Sequence, residues 1–348
     1  MRTSSLKSDE KRDIPRRNAR VRGIAVLGVV LLAACVSNPA STPGGGAILS
    51  APASAAASQS RPDLAGRVVF LRTPRNGDEA VFTANADGTD EHQLSGIGDG
   101  SGVWATRDGE RVLFSTLAPG DRVTTVTVNF DGSDRFVIPF PDDTLGLGPG
   151  PFSPDGTQIA FEGVSDEAHP ELHGIYIGSA DGTNVIQITH DNDIPGDWSP
   201  DGRQILFLRD PDGTSPGPDG LFVVNVNGSG EHKLTTDEVV VPCCWGYRWS
   251  PDGSRIVFPD GNGVLWLINP DGTDLIQLFR DDVVMHIRRR VITPTWSPDG
   301  TQIMFGLSPT PSPFDPSPNG LYVIDADGTG LTLAIGGANF KREPSWVP

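Results

Sequence analysis

Short apolar runs of three or four residues recur from about residue 64 to the end of the chain, with polar turn sequences between them. One set contains a phenylalanine in every run and comprises Val68–Leu71, Val112–Phe114, Ile159–Phe161, Ile205–Phe207, Ile256–Phe258 and Ile303–Phe305. A second set comprises Ala80–Thr83, Thr125–Val128, Ile175–Ile177, Leu221–Val224, Val264–Leu267 and Leu321–Ile324. Runs this short, rich in β-branched and aromatic residues and bounded by Gly, Pro and Asp, predict β-strands.

Two kinds of turn sequence punctuate these runs. The first is an aromatic residue followed by Ser-Pro-Asp-Gly, at Phe152–Gly156, Trp198–Gly202, Trp249–Gly253 and Trp296–Gly300, with a weaker copy at Trp104–Gly109. The second is Asp-Gly or Asn-Gly followed by Thr or Ser, at Asp87, Asp131, Asp181, Asn227, Asp271 and Asp327. Pro fixes φ for a type I turn and Gly accepts positive φ, so both sequences predict tight hairpins. Repetition favours this turn-forming role over a calcium loop, whose downstream Glu is absent.

The turns divide the chain into repeats with a period of 46 to 51 residues between aromatic anchors. Each repeat predicts four antiparallel strands, A to D, with Ser-Pro-Asp-Gly as the A–B turn and Asp-Gly as the C–D turn. Strand A is missing before Arg67, and Glu343–Pro348 matches Thr293–Pro298. We therefore expect the C-terminal strand to complete the first repeat, which closes the array and removes free sheet edges.

These motifs resemble the repeat of the TolB-type propeller family, over about residues 64–348. The resemblance implies an all-β fold, a six-bladed β-propeller of four-stranded antiparallel blades.

The N-terminus has the pattern of an export signal. Residues 1–34 are basic and then apolar, and the run Gly23–Ala34 is too short to span the roughly 30 Å hydrocarbon core as a helix. The sequence Leu32–Cys35 resembles the bacterial lipobox, which implies lipid attachment at Cys35; the alternative is an ordinary signal with an incidental Cys. Residues 35–63, rich in Ala, Ser, Pro and Gly, predict a flexible tether. We expect an exported protein, anchored to a bacterial membrane through lipid alone and facing the periplasm or the cell exterior.

The chain is acidic, with a formal net charge of −17 over 348 residues. Such an excess argues against nucleic acid or anionic lipid headgroups as the main partner, because both would repel it. The acidity either serves solubility or attracts cations or a basic partner.

The lengths of the B–C and D–A connections vary, and in a four-stranded blade both lie on one face, so we expect a binding site there. Trp245 and Tyr247 either stack on a ligand or pack between blades. A basic group either grips a carboxylate or phosphate or pairs with local aspartates. Its members are Arg288, Arg289, Arg290, Lys341 and Arg342. Cys243 and Cys244 form a strained vicinal disulfide or remain two buried thiols.

No motif predicts a catalytic residue, a metal site or a cofactor. We therefore expect a monomeric binding or scaffold protein of the cell envelope, with a protein or cell-wall-associated ligand. The alternatives are a carbohydrate lyase or hydrolase with its site at the channel mouth, and a stand-alone component similar to the Tol–Pal system.

Overall fold

A computed structural model gives the fold of the propeller region. It describes residues 64–73, 79–96, 100, 102–118, 122–139, 146–164, 169–209, 219–242, 246–280, 290–307, 320–337 and 339–348. The predicted signal 1–34 and tether 35–63 lie outside the described residues. No helix in the described ranges is both long and apolar enough to cross a membrane.

Within these ranges, six four-stranded antiparallel sheets form the six predicted blades. Blade 1 consists of β1 (Arg67–Thr73), β2 (Ala80–Asn85), β3 (His92–Gln93) and the C-terminal β24 (Phe340–Val347). Blade 2 consists of β4 (Trp104–Ala105), β5 (Arg111–Ala118), β6 (Arg122–Asn129) and β7 (Phe136–Val137). Blade 3 consists of β8 (Gly146–Gly148), β9 (Gln158–Val164), β10 (Gly174–Ser179) and β11 (Ile186–Gln187). A short 3₁₀ helix, Pro170–Leu172, precedes β10.

The second half of the ring repeats this order. Blade 4 consists of β12 (Asp193–Trp198), β13 (Gln204–Arg209), β14 (Gly220–Asn225) and β15 (His232–Lys233). Blade 5 consists of β16 (Arg248–Trp249), β17 (Ile256–Pro259), β18 (Val264–Ile268) and β19 (Ile276–Arg280). Blade 6 consists of β20 (Val291–Trp296), β21 (Gln302–Leu307), β22 (Leu321–Asp325) and β23 (Thr332–Ile335).

The C-terminal strand closes the ring, as predicted. Strand β24 pairs antiparallel with β1, and Trp346 lies opposite Val68 while Arg342 lies opposite Leu71. The indole of Trp346 donates a hydrogen bond of 2.8 Å to the carbonyl of Ala65. The two ends of the chain thus form one blade, and the predicted six-bladed fold is confirmed.

Strand A is the innermost strand of each blade and strand D the outermost. The A strands β12, β16, β20, β24 and β4 contact one another in succession around the ring. Strands β3 and β7, at the other edge of their sheets, are exposed. Side chains of strands A therefore lie nearest the centre of the ring.

The core lies between neighbouring blades. The six strand-B phenylalanines have no exposed surface: Phe70, Phe114, Phe161, Phe207, Phe258 and Phe305. One cluster joins Val69 and Leu71 of blade 1 to Val112 and Phe114 of blade 2. Each blade therefore buries its faces against its neighbours, which a single twisted sheet cannot do alone.

Candidate binding site at the central channel

The A–B and C–D turns share one face of the ring, which we call the turn face. In the A–B turns a Ser or Thr hydroxyl donates to the Asp carboxylate at 2.6–2.7 Å, for example Ser153 to Asp155. In the C–D turns the hydroxyl after Gly donates at 2.6–2.7 Å to the Asp carboxylate, or to the amide oxygen of Asn227 in blade 4, for example Thr183 to Asp181. The repeated acidic residues therefore hold turns together, as predicted.

Two contacts cross the centre of the ring close to the turn face. The guanidinium of Arg248, from blade 5, lies 4.0 Å from the centroid of the Trp104 ring of blade 2. Arg107, in the A–B turn of blade 2, donates a hydrogen bond of 3.1 Å to the carbonyl of Trp198 in blade 4. Side chains thus bridge the channel at this end.

Asp197, on the innermost strand β12, supplies a negative charge near the positive charges of Arg107 and Arg248. Its carboxylate accepts hydrogen bonds of 2.9 Å from the backbone N–H groups of Trp198 and Trp249. Burial raises the pKa of Asp197, and the positive charges of Arg107 and Arg248 oppose that rise. Trp104, Arg107, Asp197 and Arg248 form what we call the channel cluster.

Glu162 lies further from the turn face, at the inner edge of blades 3 and 4. It pairs with Gly148 of β8 across the sheet, and a side chain at Gly148 would meet its Oε2 at 3.3 Å. The carboxyl group therefore lies beside the innermost strand, where glycine leaves room for it. Among the described residues, no side chain or backbone group forms a hydrogen bond or ion pair with this carboxylate. Burial raises the pKa of Glu162 to about 7.

Tyr247 lies between blades 4 and 5 at the same depth. Its hydroxyl donates a hydrogen bond of 2.9 Å to the carbonyl of Ile194, and its ring fills the space beside Gly196. Burial raises the pKa of Tyr247, and the negative charge of Glu162 adds to that rise. Tyr247 therefore takes the packing alternative that the sequence left open.

A second charged group consists of Arg209, Asp193 and Glu231 and links separate segments of blade 4. Arg209 donates to both carboxylate oxygens of Asp193, at 2.9 and 3.0 Å, and to both of Glu231, at 2.6 and 2.8 Å. Burial acts to lower the pKa of Arg209, but the hydrogen bonds and charges of the two carboxylates outweigh it and raise the pKa. Every polar group of this network is engaged, which gives it a structural role.

The predicted basic residues occupy different places. Lys341 lies inside β24, is buried, and donates a hydrogen bond of 2.9 Å to the carbonyl of Gly336. Arg342, also in β24, forms ion pairs with Glu79 and Glu343. Arg290 is exposed next to the start of β20.

The other predicted site residues lie outside the described residues. They are Cys35, Cys243, Cys244, Trp245, Arg288 and Arg289. Lipid attachment and the vicinal disulfide stay predictions. Across the described ranges, no group of three His, Cys, Asp or Glu side chains could hold a metal ion.

The sequence reasoning missed Glu162 and the channel cluster, although alignment of the repeats carries a signal for them. Position 162 follows the strand-B phenylalanine, and its equivalents are Leu71, Ser115, Leu208, Pro259 and Gly306. An ionisable side chain at one of six such positions departs from the repeat. Arg107 likewise stands where the four full Ser-Pro-Asp-Gly copies have proline.

Comparisons with known proteins agree with the propeller. A family model described as the TolB beta propeller domain matches residues 143–348. No curated protein matches the chain. TolB from Acinetobacter baumannii has a TM-score of 0.63 at 17% identity, over 82% of this chain and 67% of that one.

Two further solved structures have a similar fold. The putative TolB from Agrobacterium tumefaciens has a TM-score of 0.57 at 16% identity, over 82% of this chain and 99% of that one. Hydrazine synthase from Kuenenia stuttgartiensis has a TM-score of 0.56 at 14% identity, over 81% of this chain and 47% of that one. At identities this low, these likenesses concern the fold alone.

Proposed function

The chain belongs to the TolB beta propeller domain family, and on this basis we propose that it is a binding or scaffold protein of the bacterial cell envelope. Its ligand is a protein or a cell-wall-associated molecule. The ligand binds the face that carries the B–C and D–A connections, which we call the loop face. A stand-alone component similar to the Tol–Pal system falls within this proposal, because such a component also binds protein.

The observation that carries the proposal is the pair of contacts that cross the channel near the turn face. These contacts occupy that end of the channel: the guanidinium of Arg248 lies over the Trp104 ring, and Arg107 donates a hydrogen bond to the carbonyl of Trp198. The turn face offers Asp carboxylates whose hydrogen bonds are made within their own turns. A ligand therefore has better access to the channel from the loop face, where connection length also varies most.

The anchor in this proposal is Cys35, lipidated after removal of residues 1–34. The tether 35–63 then holds the propeller away from the membrane. We expect Cys35→Ala to move the full chain from the membrane fraction to the soluble fraction and to abolish metabolic labelling with an alkyne fatty acid. Labelling that persists in this variant would contradict the anchor.

A carbohydrate lyase or hydrolase is the second candidate, and Glu162 favours it. A carboxyl group with a pKa near 7 suits general acid–base catalysis. Hydrolysis of a glycosidic bond normally requires two carboxyl groups, however. Neither neighbouring aspartate supplies the second carboxyl group, because Asp193 is held by Arg209 and Asp197 lies between the positive charges of Arg107 and Arg248. Binding is therefore the better-supported function.

The test is photo-crosslinking in cells that express the full chain. A photoreactive amino acid replaces His190, exposed in the D–A connection between β11 and β12, or Glu110, exposed in an A–B turn. We expect adducts of a defined mass from position 190 and none from position 110. Adducts from position 110 alone, or from neither position, would refute binding at the loop face.

A further inference from the structure

The carboxyl group of Glu162 is a charged feature of the channel that the fold itself does not use. The two carboxylates of β12 have partners: Asp197 accepts two backbone hydrogen bonds, and Asp193 is held by Arg209. Glu162 has no such partner among the described residues. Glu162 is half-buried, and a partly desolvated carboxylate without a hydrogen bond costs free energy, so a structural role does not account for it.

The surrounding backbone leaves this carboxyl group open towards the channel. Strand β8 contributes Gly146 and Gly148 at alternate positions, and Leu147 between them packs into the core against blade 2. Gly148 lies beside the Oε2 atom of Glu162 and is itself partly exposed. A side chain in its place would separate the carboxyl group from the channel. Glycine on the innermost strand thus gives a second-strand residue access to the centre.

We infer that Glu162 is a subsite for a positively charged group of the ligand, a primary ammonium or a guanidinium, that enters the channel from the loop face. This inference rests on the proposed function and specifies the chemistry of its ligand. A cation would supply both the hydrogen-bond donors and the countercharge that the carboxylate lacks. The channel cluster, with Arg107 and Arg248, limits how far the group can penetrate. The net charge of −17 further favours a basic partner.

Charge coupling gives the subsite a measurable property. Burial alone raises the pKa of Glu162 to about 7, and the ionisable group that interacts with it among the described residues is Tyr247. A cation binds the ionised carboxylate and therefore lowers its pKa. At a probe concentration ten times the dissociation constant, the pKa falls by about one unit.

The first experiment measures this shift in the full chain, in detergent and labelled with ¹³C at the Glu carboxyl carbons. Loss of one resonance in Glu162→Gln assigns the signal. The probes are n-butylammonium and N-ethylguanidinium, which represent Lys and Arg side chains, and n-butanol is the neutral control. We expect both cations, or one of them, to lower the pKa of Glu162, and n-butanol to leave it unchanged. An unchanged pKa with both cations overturns the subsite, as does an equal effect of n-butanol.

The second experiment separates this inference from the proposed function. Crosslinking from position 190 is repeated in Glu162→Gln, with Glu110→Gln as the control that removes one negative charge at the turn face. We expect the adduct yield to fall at least tenfold in Glu162→Gln and to stay unchanged in Glu110→Gln. An unchanged yield in Glu162→Gln overturns the subsite while binding at the loop face stands. If position 190 gives no adduct in any variant, the proposed function fails, and the pKa measurement alone decides the subsite.

Discussion

Arg248 lies 4.0 Å from the centroid of the Trp104 ring, although the two residues belong to blades on opposite sides of the six-bladed ring. Contacts between neighbouring blades build the core, but this one joins blade 5 to blade 2 through the channel. Its guanidinium also donates hydrogen bonds of 2.9 and 3.0 Å to the carbonyls of Gly196 and Tyr247. The pair therefore couples distant parts of the ring.

The first prediction concerns this coupling. Arg248→Met removes a positive charge that favours ionised Asp197 and the two hydrogen bonds to the carbonyls of Gly196 and Tyr247, and we expect a loss of about 2–4 kcal/mol of unfolding free energy. In a double-mutant cycle with Trp104→Leu, the coupling energy should be about 1–2 kcal/mol. Chemical denaturation monitored by circular dichroism measures both values. Additive effects of the two substitutions would show that the contact across the channel contributes nothing.

The second prediction concerns ring closure. Deletion of Arg342–Pro348 removes the strand opposite β1, the buried Trp346 and the Glu343 carboxylate, which accepts hydrogen bonds from Gly102 and Val103 of blade 2. We expect the melting temperature to fall by more than about 10 °C, because several kcal/mol are lost. The control is a short Gly-Ser extension after Pro348, which is exposed and should tolerate it. Equal melting temperatures for the truncated and intact chains would refute closure.

The third prediction concerns acid stability. Hydrogen bonds from neighbouring Ser and Thr lower the pKa of the turn aspartates, including Asp131, Asp181 and Asp327. A lowered pKa in the folded state gives stability that is present above the unfolded value of about 3.9 and is lost as the pH falls through the folded value. We therefore expect the melting temperature to decline progressively below about pH 4.

The chain itself supplies the matched control for acid stability. Blade 4 has Asn227 at the equivalent turn position, and its Oδ1 accepts from Ser229 at 2.7 Å, as the aspartates do. Combined Asp→Asn substitution at the other C–D turns should keep the turns and flatten the decline. The same slope in the substituted and wild-type chains would place the acid-labile groups elsewhere.

The strands, the turn chemistry and closure were predictable because each depends on local sequence that recurs every 46 to 51 residues. The irregularities within individual strands were not predictable. In blade 3, strand A is interrupted: β8 ends at Gly148, and Phe152 pairs with Ile159 through an isolated bridge. Pro149 and Pro151 lack the N–H groups that a continuous ladder needs.

The candidate site was less predictable than the fold. The repeat period specifies hairpins, but which side chains meet across a closed ring depends on blade number and on the depth of each strand. Arg248 and Trp104 are 144 positions apart in the sequence and meet only because the ring closes. Lys341 was expected in a connection, yet β24 begins at Phe340 and includes it. Within β24, Glu343 adopts a left-handed φ of 53°. Pairing with β1 shifts register at this point and continues on both sides of it.

The last prediction concerns the stability cost of Glu162. Its pKa is raised to about 7 in the folded state, so the folded chain binds the proton more tightly than the unfolded chain does. Stability therefore falls as the pH rises from about 4.5 to about 7 and is level above that range. Glu162→Gln resembles the protonated carboxyl group in shape and carries no charge. At pH 8 it should be more stable than the wild type by up to about 3 kcal/mol, which raises the melting temperature by several degrees.

At pH 4.5 the difference between this variant and the wild type should shrink to about 0.4 kcal/mol, because Glu162 is then almost fully protonated in the folded chain and about half protonated in the unfolded chain. Melting temperatures recorded between pH 4.5 and pH 8 measure this convergence, and Glu110→Gln, at an exposed position on the turn face, should show no such trend. A difference between Glu162→Gln and wild type that is independent of pH would show that the carboxyl group is not desolvated. A pH-dependent gain would mean that the fold is more stable without the charge, as expected for a residue retained for binding at the expense of stability.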